Sequence, residues 1–84
     1  MGITVMHSAA NNPMISLDLF RLLTISGAVG NNLDYYGNNV LMLYLLVAQP
    51  IQKEIITFLN KAGSSFFEVN KKGWTVLHFA VANP

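Results

Sequence analysis

The segments "GITVMHSAANNP" (residues 2–13) and "GWTVLHFAVANP" (residues 73–84) stand at opposite ends of an 84-residue chain and share one pattern. Both read Gly-x-Thr-Val, then an apolar residue, then His-x-Ala, and both close on Asn-Pro at the same distance from the glycine. Between them, "GNNVLMLYLLVAQP" (37–50) is a degenerate copy, with Asn39 in place of the threonine and Met42 in place of the histidine. The unit glycines Gly2, Gly37 and Gly73 are 35 and 36 residues apart. A period of roughly 20–50 residues marks a repeat array, in which each unit buries its apolar face against its neighbours.

The second halves of the units agree as well. "LDLFRLLTISG" (17–27) aligns with "KEIITFLNKAG" (53–63), so that Leu19, Phe20, Leu22 and Leu23 match Ile55, Ile56, Phe58 and Leu59. Steps of one, three and four place these residues on one face of a helix. Gly27 and Gly63 fall where a left-handed C-cap ends such a helix, and nine residues separate each from the next unit glycine. Thr4, Asn39 and Thr75 are placed to cap the short helices, a side-chain oxygen accepting from a first-turn N–H. The unit is therefore a short helix, a turn, a longer helix, a glycine and an irregular stretch. The chain divides into a repeat at 2–36, a second at 37–72 and a half repeat at 73–84, one partial array over 1–84.

This pattern resembles the ankyrin repeat, whose units carry Gly-x-Thr-Pro-Leu-His-x-Ala and then an apolar helix ending in Leu-Leu-x-x-Gly, at a period of about 33. The best match runs from Gly73 to Ala80, and Arg21 through Gly27 matches the Leu-Leu ending. The resemblance covers nearly the whole chain. It departs in Val5, Val40 and Val76, which replace the proline, and in two or three extra residues per unit. It implies an all-α, ankyrin-type helix-turn-helix solenoid with short hairpin-like loops between repeats. It also implies that His7 and His78 order their turns by hydrogen bonding. Met42 lacks a ring nitrogen, so the middle turn is expected to be held by packing.

Composition excludes several functions. Charged residues make up 11% of the chain, apolar residues 52%, and the net charge is +1. Without a basic stripe, nucleic acid is not an expected partner. No apolar run approaches the length of a membrane span, and there is no charged start with a long apolar core to act as a signal peptide. An intracellular, cytoplasmic protein is the expectation. The absence of cysteine removes disulfides and thiolate-held zinc.

Catalytic and metal readings fare poorly. His7 and His78 lie two units apart, on the order of 20 Å if neighbouring helices are spaced at 8–10 Å, whereas metal ligands converge on one ion. Asp18, Asp34, Glu54 and Glu68 form no acid–base pair. Ser64 and Ser65 read as loop hydroxyls that solvate the backbone. No enzyme activity, cofactor or metal is expected.

Surface recognition remains. By the resemblance, the loop tips and the exposed faces of the short helices form a concave surface that holds a partner protein. The tip residues are Tyr35, Tyr36, Asn38, Lys71, Lys72 and Trp74, and aromatics at projecting positions suit contacts that bury much area at low entropic cost. The structural repeat residues are Gly2, Thr4, His7, Gly27, Gly37, Asn39, Gly63, Gly73, Thr75 and His78. One of Phe66 and Phe67 is expected to fold under the hairpin. The middle helix, apolar on every face, is expected to be buried between neighbours, with Leu43, Leu46 or Val47 as an alternative apolar strip.

A chain of two and a third units without polar caps reads as part of a longer array or as a module completed by self-association through its exposed repeat ends. The function expected is a non-catalytic protein-binding scaffold. The alternatives are a regulatory or structural segment of a larger enzyme or channel, and homotypic assembly.

Overall fold

The computed structural model describes residues 4–28 and 32–83; the first unit glycine, Gly2, and the closing Pro84 lie outside them. The described residues hold five helices and no strand: α1 (Val5–Ala10), α2 (Leu17–Ile25), α3 (Val40–Val47), α4 (Lys53–Lys61) and α5 (Val76–Ala82). The fold is all-α. Helix α3 packs on both α1 and α5, α2 packs on α4, and the pairs α1–α2 and α3–α4 touch within their units. The helices therefore make one row, α1–α3–α5, beside a second, α2–α4.

Local chemistry starts and stops these helices. Thr4 Oγ1 accepts the His7 N–H at 3.2 Å, and Asn39 Oδ1 accepts the Met42 N–H at 2.9 Å. Each bond satisfies a first-turn N–H that has no partner inside its helix. Thr75 holds the same position before α5, where its carbonyl accepts the His78 N–H at 3.1 Å and its own N–H donates to His78 Nδ1 at 3.0 Å. Met42 takes the corresponding acceptor place in the middle unit, its Sδ 3.4 Å from the Asn39 nitrogen. That corrects the expectation of a turn held by packing alone, because a thioether sulfur is a weak acceptor where the ring nitrogen would be a stronger one.

The longer helices end alike. Gly27 N–H bonds Thr24 O and Ala28 N–H bonds Leu23 O; Gly63 and Ser64 repeat this with Asn60 O and Leu59 O. These are Schellman turns, and both glycines have positive φ. The turn at Gly63 sends the next side chain inward, so Ser64 is fully buried and its Oγ accepts the Leu41 N–H at 3.4 Å. Ser64 is thus a second cap on α3, a loop hydroxyl that solvates the backbone from a buried position. With that space filled, neither Phe66 nor Phe67 enters the core, and they are 38% and 91% exposed. The expectation that one folds under the hairpin is not met.

Helix α3 is the centre of the core. Val40, Leu41, Met42, Tyr44 and Leu45 are buried, and Leu43, Leu46 and Val47 are half-buried. A helix apolar all round needs cover all round, and α3 has helices on three sides. Tyr44 meets the Phe20 ring edge-on at 6.3 Å, and its hydroxyl accepts the Gln52 N–H at 2.8 Å, fastening the start of α4 to α3. Burial pushes the Tyr44 phenol above its usual range; the Gln52 N–H opposes this and the Glu54 carboxylate adds to it.

A raised folded-state value means that stability is fully present below the ordinary tyrosine pKa of 10.0 and is lost as pH rises through the folded one. Tyr44→Phe should cost about 0.5–1.5 kcal/mol at neutral pH by removing the acceptor. It should also fall less steeply in thermal stability above pH 10 than the parent chain. Parallel alkaline curves for the two proteins would show that Tyr44 does not drive the loss.

Candidate functional site

Two loop tips, at residues 34–38 and 70–74, share one construction. Asp34 Oδ1 accepts the N–H groups of Tyr36 (2.9 Å) and Asn38 (2.8 Å), and Asn70 Oδ1 accepts those of Lys72 and Trp74, both at 2.9 Å. Backbone bonds then close each tip: Asp34 N–H to Asn38 O and Gly37 N–H to Asp34 O, repeated as Asn70 N–H to Trp74 O and Gly73 N–H to Asn70 O. Asp and Asn side chains that bond forward to the backbone hold a tight turn without a sheet. The loops are hairpin-like although no strand forms among the described residues.

The tips also bond to each other. Lys71 N–H donates to Tyr36 O at 2.9 Å, and Asn70 Nδ2 donates to Asn38 Oδ1 at 2.9 Å. A Cβ at Gly37 would sit 3.2 Å from Lys71 N and 3.3 Å from Asn70 Cα, on a backbone with φ of +80°. Glycine is therefore required there on two counts, conformation and close approach.

Asn38 joins all the parts. Its N–H and Nδ2 both donate to the Asp34 carboxylate, at 2.8 and 3.1 Å. Its carbonyl accepts from Asp34 N–H and lies 2.9 Å from His7 Nε2. A carbonyl only accepts, so His7 Nε2 carries the proton, and Nδ1, 2.8 Å from Thr4 Oγ1, accepts from that hydroxyl. One neutral tautomer with both nitrogens engaged explains how an imidazole can be fully buried here. His7 orders its own turn and also ties α1 to the following tip.

Beside this network lies a cleft of about 380 Å³, lined by Tyr36, Asn38, Asn70, Lys71, Lys72, Trp74 and Phe79. Five of the six tip residues singled out in the sequence meet in it. The sixth, Tyr35, abuts it: its ring stands edge-on to Tyr36 at 5.4 Å, with Lys71 Nζ 4.4 Å above it. Trp74 is partly exposed, stacked on His78 at 5.7 Å and edge-on to Phe79 at 5.2 Å. Tyr35, Tyr36, Lys71 and Lys72 are exposed. Asn38 differs from the other five, because it is buried, with its backbone N–H, side-chain nitrogen and side-chain oxygen each bonded within the two tips.

Sequence reasoning missed Asn70 and treated Asp34 as one scattered carboxylate. The available signal was an Asx residue three places before Gly37 and before Gly73, the position from which it can cap the turn. Phe79 was also missed, since its inward direction depends on the packing of α5 on α3. No group of three potential metal ligands occurs among the described residues, and none of their helices is long and apolar enough to cross a membrane. No protein-family model matches the chain, and no curated protein matches it significantly.

Asn38→Ala strips a buried partner from both Asp34 and Asn70. It should lower unfolding stability by roughly 2–3 kcal/mol, the cost of leaving buried polar groups unpaired, as read from the midpoint of a urea transition. A loss within about 0.5 kcal/mol, typical of surface substitutions, would show that the network does not hold the tips.

Proposed function

We propose that this chain is an ankyrin-type repeat module, a non-catalytic scaffold that binds a partner protein through its loop tips. The observation that carries the reading is the convergence of Tyr36, Lys71, Lys72 and Trp74 on one cleft, with Tyr35 at its edge. The two-row stacking of helices and the repeated tip construction support the repeat assignment. The cleft has aromatic walls and two ammonium groups on its rim. No carboxylate lines the cleft among the described residues, and that of Asp34 is engaged by three donors from its own tip. Such a surface favours a segment carrying an apolar or aromatic anchor next to an acidic residue. The tips are held by internal hydrogen bonds, so their aromatics are presented with little left to order on binding.

Trp74 is the only tryptophan of the chain, so its fluorescence reports on the surroundings of this one wall of the cleft. Selection of a random displayed peptide library should enrich sequences with an aromatic or aliphatic anchor beside Asp or Glu, and the selected peptides should shift the Trp74 emission. The variant Tyr35→Ala, Tyr36→Ala, Trp74→Ala should lose at least about 30-fold in affinity, the scale of one strong hot spot, with unchanged helicity by circular dichroism. Equal capture by the folded variant would refute this surface.

A further inference from the structure

The row of longer helices carries a second surface. Lys53, Thr57 and Lys61 recur at intervals of four on α4 and so fall along one line of that helix; Leu17 and Arg21 do the same on α2. Packing of α2 on α4 sets both lines around a groove of about 510 Å³. Its floor is apolar, because Leu17 and Phe58 are half-buried against the core and keep part of each side chain open to the groove. Its rim is basic. Three of the chain's five lysines and arginines, Arg21, Lys53 and Lys61, line it, with Glu54 as the one lining carboxylate among the described residues.

The chain leaves this charge largely unmatched. Arg21 meets Asp18 at 3.8 Å, but the two side chains are 59% and 94% exposed, so the pair is weak and open to exchange. Among the described residues Lys53 and Lys61 make no ion pair. The remaining carboxylates are held elsewhere, Asp34 by the donors of its own tip and Glu68 by Asn39 Nδ2 at 2.9 Å. The matching negative charge therefore comes from outside the described chain. The shape narrows its source. A small anion would leave Leu17 and Phe58 uncovered, and a flat layer of headgroups does not reach the floor between two helices. A helix with an apolar ridge fills such a groove, as in other helix-in-groove contacts. Lys53 and Lys61 are separated by about 12 Å along α4 at roughly 1.5 Å per residue, a little over two turns.

We propose that the α2–α4 groove holds an amphipathic helix of a partner protein. Its apolar ridge lies on Leu17 and Phe58, and acidic residues about two turns apart meet Lys53 and Lys61, with Arg21 on the opposite wall. The groove shares no lining residue with the tip cleft, so the two surfaces are independent.

A displayed library of helical peptides, each with a fixed leucine ridge and randomised flanking positions, tests the proposal on the 84-residue chain. The binders should include helices with Asp or Glu about two turns apart, and salt should weaken them. These helices should bind the Tyr35→Ala, Tyr36→Ala, Trp74→Ala variant as tightly as the parent. They should lose roughly tenfold on Lys53→Glu with Lys61→Gln, and about threefold on Arg21→Gln, the scale of exposed charge pairs. The double variant should keep the parent's circular dichroism, since a glutamate at the start of α4 suits the helix dipole. Absence of the paired acids among the binders, or equal affinity for the folded groove variants, would overturn the proposal. So would capture of phosphatidylserine vesicles by the parent and not by the double variant, because that result assigns the groove to an anionic lipid surface.

Discussion

The hydrogen bonds that converge on Asn38 are the constraint on which the rest of this structure rests. Helices that cover one another only in a row can slide or tilt, since apolar contact is not directional. Asn38 removes that freedom by bonding to its own tip through Asp34, to the preceding helix through His7 and to the following tip through Asn70. The bonds are buried, and among the described residues no buried side-chain nitrogen or oxygen lacks a partner. In a low-dielectric setting a satisfied network of this kind specifies one arrangement, because each displaced unit would strand several polar groups.

The exposed chemistry follows from that register. Tip-to-tip bonding brings Tyr36 and Lys71 side by side through their own backbones, and Trp74 is steered by stacking on His78 and Phe79. The middle unit tolerates loss of the histidine because its neighbours compensate: Asn39 replaces threonine as the cap and bonds onward to Ser65 O and Glu68, while Met42 supplies a sulfur acceptor. A degenerate repeat is thus still a complete one in hydrogen-bonding terms. Burial differs between the units, since Leu77 and Val81 are exposed in the positions where Met6, Leu41, Ala10 and Leu45 are core.

Much of the fold was readable in advance. The Leu/Ile/Phe spacing located both longer helices, and Gly27 and Gly63 marked their ends because only a residue free of a Cβ takes the left-handed turn at low cost. The cap positions were readable for the same local reason. The site was less legible. That Tyr36, Lys71, Lys72 and Trp74 share a cleft follows from period, but the burial of Asn38 does not. Asparagine beside a loop glycine is equally at home in solvent, and only the neighbouring tip and the preceding histidine draw it inward. Phe66 and Phe67 show the same limit in reverse, apolar by type and yet left outside once Ser64 had turned into the core.

What the sequence alone determined is the unit: its period, its helices, its caps and the residues that reach its tips, all consequences of interactions within a few positions along the chain. What only the tertiary structure decided is which copies of a repeated residue are covered. Met6, Leu41 and Leu77 are one position in the sequence pattern and two environments in space. The reason is that burial depends on what stands beside a unit, and a repeating sequence is silent about which of its members has a neighbour.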